Sequence, residues 1–335
     1  MANWGFLGAG SIARSSLAPA VRAAKGAVLH AVASSSHVRA QALRPERAYP
    51  SYDDLLRDPD VDIVYIALHN SAHIEWTRRA LRAGKHVLCE KPLGLSAAEV
   101  DAMTRTAREA GRLLIEAAWN RWHPRTRDLE TMIDGGSIGA VQTVTARFDG
   151  LEPTADNYRL NPNLGGGALY DVGYYAVSAA LAAFGWNTPQ VVWAKQEQWH
   201  PASADSASDF LLEFPCRGTA QIHCALIGRM AEELVVTGTS GTLSLSSPAF
   251  CAGATSVRLF TGSDSDWQAR SYPALDSYRL MVDAMDAAVE GRGHPYLVSP
   301  QQSRLIAATI DAVREALPSH SLPDTEPPKQ NRRRG

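Results

Sequence analysis

Short apolar segments and amphipathic helical segments alternate through the first 118 residues, and this alternation admits very few folds. WGFLG, AVLHAVASS, VDIVYIAL, HVLCE and RLLIEAA read as strands. Helical stretches separate them at 11–24, 37–43, 52–58 and 71–83, while RPERAYPS reads as turn. A further helix opens at Ser96, the expected N-cap, with Glu99 three residues on to complete a capping box. Parallel strands need long crossovers, and strands apolar on both sides need cover on both sides. The pattern predicts a doubly wound parallel sheet, a Rossmann-type α/β domain spanning 1–118.

The first strand–helix turn, GFLGAGSIA, indicates what such a domain holds. Gly8 permits a tight turn and Gly10 lets a pyrophosphate approach the backbone. Ser11 and Ile12 start a helix whose free N–H groups and positive dipole end suit an anion. With Ala13 these residues make a G-x-G-x-x-A pattern, which points to a dinucleotide; the plain alternative is a glycine turn without ligand. The end of the second strand, AVASSSHVRA, bears on which dinucleotide. A carboxylate there would hold the adenosine ribose hydroxyls of NAD(H). Ser34, Ser35, Ser36 and Arg39 stand there instead, a set suited to a 2′-phosphate. The serines equally suit helix capping, with Arg39 on a solvated face. NADP(H) is the expected cofactor, with NAD(H) as the alternative.

From residue 141 the pattern changes. VQTVTARFDG, QVVWAKQEQW, DFLLEF, TAQIHCALI, EELVVTGT, GTLSLSS and SVRLFTG are seven strands joined by short turns, which predicts a large, mostly antiparallel open sheet. One helix interrupts it at 167–185, and two close the chain at 277–290 and 301–317. An α+β domain is therefore expected over 119–317. The Pro-rich segment 318–335, ending in three arginines, reads as a disordered tail.

Two clusters carry chemistry. In GKHVLCEKPLGLS, Lys91 stands at the mouth of a buried strand, with Glu90 before it and Pro92 fixing the backbone after it, which a solvated surface lysine does not require. In NLGGGALYDVGYY, Asp171 and Tyr175 lie four residues apart on one helix, near a glycine run where backbone can approach a ligand. Taken singly, Asp171 reads equally as a cap and Tyr175 as a core ring.

The net charge of −2 gives no reason to expect nucleic acid or an anionic membrane as partner. Cys89, Cys216, Cys224 and Cys251 lie far apart without metal-ligand spacing, so they read as free thiols and no metal is expected. No leader pattern precedes the first strand and no apolar run approaches ~18 residues, so a cytoplasmic location is expected.

Together GFLGAGSIA, AGKHVLCEKP and GGGALYDVGYY, on an α/β plus large-sheet layout, resemble the Gfo/Idh/MocA oxidoreductases, over nearly the whole chain except the tail. EAAWNRWHP and YDVGYYAVS resemble the dimeric dihydrodiol dehydrogenases and sugar ketoreductases, and the opening WGFLGAGSIAR resembles 1,5-anhydrofructose reductase. The resemblance implies that Lys91 lies beside the nicotinamide and the reacting carbon, with Glu90 against the cofactor. It implies Tyr175 as the proton donor or acceptor assisted by Lys91, and Asp171 as binder of a substrate hydroxyl. Leu68–His73 stands where relatives have a T-x-N-x-x-H loop over the cofactor: Asn70 and His73 match, Leu68 and His69 do not. Tyr158, Arg159 and Tyr278 match cofactor-contacting positions. Trp119, Arg121 and His123 stand where relatives bind substrate, although Trp119 and Trp122 read equally as core.

The implied activity is hydride transfer between NADP(H) and a secondary alcohol or ketone of a sugar or polyol-like substrate. The alternatives are a dihydrodiol or pentose dehydrogenase with the same machinery, or a non-catalytic dinucleotide sensor, which would have no need of Lys91, Asp171 and Tyr175 together. Apolar residues on both faces of the second sheet, such as Val191, Trp193, Phe210 and Leu212, predict pairing through that sheet as a homodimer or homotetramer.

Overall fold

The computed structural model describes residues 1–228, 230–250, 257–263, 266–293 and 298–318. The segment expected to be a disordered tail lies, apart from its first residue, outside the described residues, as does Cys251. Six strands form the first sheet: β1 (Ala2–Leu7), β2 (Ala27–Ala33), β3 (Arg47–Tyr49), β4 (Ile63–Ile66), β5 (His86–Cys89) and β6 (Leu114–Glu116). All pairings are parallel, in the order β3-β2-β1-β4-β5-β6. Alternate residues feed two cores: Trp4, Phe6, Ile63 and Tyr65 enter one, and Leu7, Val64, Ile66 and Val87 the other. Burial on both faces is what produces near-continuous apolar strands.

β3 corrects the reading of RPERAYPS as turn. It is a three-residue edge strand whose Arg47 and Tyr49 side chains both donate to the Asp58 carboxylate, so it carries no apolar pattern to be read. The connecting helices are α1 (Ala18–Ala23), which continues a π-turn over Ala13–Leu17, then α2 (His37–Ala42), α3 (Tyr52–Arg57), α4 (His73–Arg82) and α5 (Ala97–Ala110). Ser96 caps α5 by accepting the Glu99 N–H at 3.2 Å. The Glu99 carboxylate, however, accepts the N–H of Leu95 at 2.8 Å, one residue before the cap, so the expected box is displaced.

A helix absent from the sequence reading follows: α6 (Pro124–Asp134), capped by His123. The second sheet contains β7 (Val141–Asp149), β8 (Gln190–Gln198), β9 (Asp205–Glu213), β10 (Thr219–Ala225), β11 (Ala231–Gly238), β12 (Thr242–Leu245), β13 (Val257–Ser263) and β14 (Asp266–Tyr272). Its order is β14-β13-β12-β11-β7-β10-β9-β8, antiparallel throughout except for β7 beside β10. β14 adds an eighth strand to the seven expected.

One face of this sheet is covered by α6 and by α7 (Tyr174–Ala183), which continues a second π-turn over Leu169–Gly173. Val144, Ala146, Phe148, Phe210, Leu212, Ile222 and Leu234 point to that covered side. Thr143, Thr145, Arg147, Gln221 and Glu233 are exposed on the other. The structure divides unevenly the residues expected to make both faces apolar. Phe210 and Leu212 lie under the helices, while Trp193, 52% exposed beside a register shift in β8, lies on the outer side with Leu211 and Val235, which are half-buried. The closing helices, α8 (Ser277–Val289) and α9 (Pro300–Glu315), pack on α1 and α5 of the first sheet's layer, and α9 also touches α7. The Trp4 indole donates to Asp286 of α8 at 3.0 Å. No helix among the described residues is long and apolar enough to cross a membrane.

Candidate active site

A cleft of about 1070 Å³ opens above the carboxyl ends of β1, β4 and β5 and runs to the start of the Leu169–Gly173 turn. Sheets of this order bind ligands at that edge, where the strand order reverses. Gly8 has φ +100°, and a Cβ there would lie 2.4 Å from the Ala67 carbonyl oxygen, so packing against the end of β4 demands glycine. Gly10 differs: a Cβ would meet no atom within 4 Å and would project into open space. Nothing in the protein requires glycine at 10, but an approaching pyrophosphate does. Ser11 and Ile12 line the cleft beside it, at the head of the first helix. The residues fit a dinucleotide.

At the far corner Ser34, Ser35 and Arg39 line the cleft. Ser36 caps α2 through the Arg39 N–H, and the Arg39 guanidinium donates to the Ser35 hydroxyl at 3.2 Å. Capping and a basic, hydroxyl-rich corner thus coexist on different serines. Leu68 and Asn70 line the middle, where the Asn70 amide donates to the Gly165 carbonyl at 2.8 Å and ties the turn after β4 to the glycine run.

His73 does not reach the cleft. It is fully buried, with Nδ1 2.9 Å from the Pro92 carbonyl and Nε2 3.2 Å from that of Leu68. Burial pulls its pKa down to about 4. It clips the 68-loop to the Lys91–Pro92 turn, and the expectation of cofactor contact is corrected accordingly.

Lys91 leaves the end of β5 and reaches Asp171. Its ammonium donates to the Asp171 backbone carbonyl at 2.8 Å and to the carboxylate at 3.0 Å. Arg159 grips the same carboxylate through two nitrogens, at 2.6 and 3.2 Å. Burial alone would raise the Asp171 pKa, but Lys91 and Arg159 outweigh it and hold the carboxyl well below the usual range. Both carboxylate oxygens are engaged by Lys91 and Arg159, and Asp171 also lines the cleft. The Lys91 ammonium also stands 4.8 Å from the centre of the Tyr175 ring. The Tyr175 hydroxyl accepts the Trp119 indole N–H at 3.0 Å. Trp119 stacks on Tyr278, with ring centres 4.8 Å apart and planes 17° apart. Glu90 sits beneath, accepting the Tyr65 hydroxyl at 2.5 Å. Burial pushes its carboxyl up, while Tyr65 and Lys91 draw it partly back. Tyr158 lines the same stretch, its ring facing the Arg159 guanidinium at 5.0 Å.

Arg121 and His123 are not brought to this site. Arg121 turns away to Gln302 and Glu130, each at 3.3 Å, and lies over the Trp186 ring. His123 is fully buried as the cap of α6, accepting the Arg125 N–H at 3.1 Å, and burial takes its pKa down to about 4. The cause is the 3₁₀ turn Trp119–Trp122, which swings successive side chains by a third of a turn. Among these residues only Trp119 lines the cleft.

Sequence reasoning missed Phe148, Thr154 and Asp156 in the cleft wall, and Tyr65 behind Glu90. It also missed Glu116, although the signal was present: an acidic residue closes β6 just as Glu90 follows β5. His30, Asp58 and Asp60 also gather at the β3 edge, but Asp58 is taken by Arg47 and Tyr49.

Comparison with known proteins places this geometry. The chain is 36% identical over 319 residues to a D-xylose 1-dehydrogenase (NADP(+)) from Haloferax volcanii, covering 93% of this chain and 96% of that one. It is 30% identical over 250 residues to a trans-1,2-dihydrobenzene-1,2-diol dehydrogenase from Xenopus tropicalis, covering 73% and 75%. Its fold is similar to that of a 3-ketoreductase from Actinomadura kijaniata solved with NADP and TDP-benzene, with TM-score 0.88, 29% identity and coverage of 94% and 98%. Residues 2–118 match the family model described as "Oxidoreductase family, NAD-binding Rossmann fold", and residues 126–244 match the GFO/IDH/MocA C-terminal domain. Glycine turn, Lys91 at the strand mouth and Asp171 on the facing helix thus occur in a chain that belongs to the Gfo/Idh/MocA family of oxidoreductases.

Proposed function

We propose that the protein is an NADP(H)-dependent oxidoreductase acting on a secondary alcohol or ketone of a sugar or polyol-like substrate. The observation that carries this reading is the convergence of Lys91, Asp171, Tyr175 and Trp119 in the same cleft as the Gly8–Gly10 turn. When bound, the nicotinamide supplies or accepts the hydride. Tyr175 gives a proton to the substrate oxygen in reduction and takes it back in oxidation. By accepting the Trp119 N–H, the phenol is oriented with its own O–H as donor. The Lys91 ammonium over the ring face favours the phenolate that forms when the proton leaves. Asp171 holds that ammonium in place and, lining the cleft, offers its remaining acceptor capacity to a substrate hydroxyl. Positioned proton transfer of this kind is worth ~10²–10⁴ in rate.

For NADP(H) over NAD(H), the support is the corner of Ser34, Ser35 and Arg39 and the NADP in the names of two relatives. A second reading, oxidation of a cyclic aromatic diol, is favoured by the Trp119–Tyr278 stack and Phe148 in the cleft wall. The test is titration with NADPH and NADH, followed by initial rates with D-xylose, D-glucose and trans-1,2-dihydrobenzene-1,2-diol. Turnover of the sugars above the diol is expected; the reverse order installs the second reading, and no turnover with any member of such a panel defeats the first. We further propose a homo-oligomer formed through the outer face of the second sheet near Val192 and Trp193, both more than half exposed. Light scattering that returns 36.2 kDa, the mass of one chain, would refute it.

A further inference from the structure

Between β5 and α5 the chain runs from Glu90 to Ser96 without regular structure, and buried backbone groups in such a segment must each find a partner. Side chains supply them. The Lys91 N–H donates to Glu90 at 3.3 Å, the Pro92 carbonyl faces His73, and the Leu95 carbonyl accepts the Tyr170 hydroxyl at 2.9 Å. The N–H of Leu95 goes to Glu99 and that of Ala97 to Asp311. The N–H of the same Pro92–Leu93 peptide is held from another strand. The Leu93 N–H donates to Glu116 Oε1 at 2.7 Å.

Glu116 is 3% exposed at the end of β6, and its second oxygen accepts the Ser303 hydroxyl of α9 at 2.7 Å. It does not line the cleft. A carboxylate buried this deeply costs several kcal/mol in lost hydration unless its hydrogen bonds recover it. These two bonds tie β6 to α9 and to the turn that presents Lys91. Only Pro92, with its φ fixed by its ring, separates Lys91 from the residue that Glu116 holds.

We propose that Glu116 is a positioning residue for the reaction: by holding the Leu93 N–H it sets where the Lys91 ammonium meets Asp171 and the Tyr175 ring. This rests on the reading of Lys91 as catalytic. The test compares Glu116→Asp, Glu116→Ala and Glu116→Gln in the full-length protein. Aspartate is one methylene too short to keep the Leu93 contact. Glutamine keeps an oxygen for Leu93 and offers an amide N–H to Ser303. A misplacement near 1 Å lowers turnover about 100-fold, so kcat of the Asp and Ala variants is expected to fall by about that factor. Their NADPH Kd should stay within about threefold of the parent, and Glu116→Gln should keep kcat within about threefold.

Retained kcat in Glu116→Asp overturns the proposal. So does a Glu116→Gln variant as impaired as Glu116→Asp, or a loss of NADPH affinity in step with kcat. Should Glu116→Ala not fold, the other two variants decide. Lys91→Ala run in parallel separates the two levels. Normal turnover there removes the underlying reading, whereas an inactive Lys91→Ala beside a fully active Glu116→Asp overturns the role of Glu116 alone.

Discussion

Replacing Asp171 by asparagine tests the geometry at its most charged point. The carboxylate is shared by Lys91 at 3.0 Å and Arg159 at 2.6 Å, with side-chain exposures of 13% for Asp171, 10% for Lys91 and 34% for Arg159, so water screens the lysine contact little and the arginine contact more. Asp171→Asn leaves two cations facing each other across a neutral amide. Removing one partner of a buried ion pair costs about 3–5 kcal/mol, because the remaining charge stays buried without compensation. The amide oxygen retains one acceptor, which puts the expected loss near the lower end, about 3 kcal/mol. Lys91→Ala is different: Asp171 keeps both Arg159 contacts, and one buried charge has been removed. Its cost is expected to be smaller, because the carboxylate that remains is still compensated. The order of stability is therefore parent, Lys91→Ala, Asp171→Asn, whereas Lys91→Ala should be at least as impaired in turnover. Urea unfolding followed by tryptophan fluorescence, with initial rates on the same samples, gives both orders. Asp171→Asn as stable as the parent, or Lys91→Ala as the less stable of the two, would refute the reasoning.

Ser34→Asp should reverse the cofactor preference toward NADH, because a carboxylate repels the 2′-phosphate and accepts ribose hydroxyls; paired Kd measurements check it, and unchanged preference would count against the corner. Gly10→Val should fold normally and lose at least about tenfold in NADPH affinity, since its Cβ meets no protein atom and occupies only the ligand's space. Gly8→Ala should instead lose stability, through the 2.4 Å approach to Ala67 and the positive φ, which thermal melts of the two variants separate. His73 titrates near 4 in the fold against 6.5 unfolded, so the native state binds fewer protons and this stabilisation, complete above pH 6.5, is lost as pH falls toward 4. Between pH 7 and pH 5 the parent should lose about 2 kcal/mol more than His73→Asn, and equal losses in urea unfolding would contradict the assignment.

How far the sequence is legible follows from where each signal resides. The Rossmann sheet is legible because its strands are apolar on both faces, so Ile63–Ile66 and His86–Cys89 declare themselves. β3 and β14 are not, because Arg47–Tyr49 and Asp266–Tyr272 are short or polar strands at sheet edges. α6 is obscured by a charged run, PRTRDLETMID, and by an unusual histidine cap. At the site, Lys91, Asp171 and Tyr175 stand out as polar groups where packing alone would place apolar ones. The partnership of Asp171 with Arg159 is not legible, since the two residues lie twelve apart in the chain and no periodicity links them. Arg121 and His123 have the right residue types, but a single 3₁₀ turn points them away from the cleft. That rotation leaves no trace in composition or spacing.

The central claim is that Lys91 serves chemistry and not the fold. The most direct measurement is kcat and NADPH affinity of Lys91→Ala, taken on one preparation with a cooperative unfolding transition. The account predicts turnover lower by about 10²–10⁴ with NADPH affinity nearly unchanged. Turnover near that of the parent would contradict it.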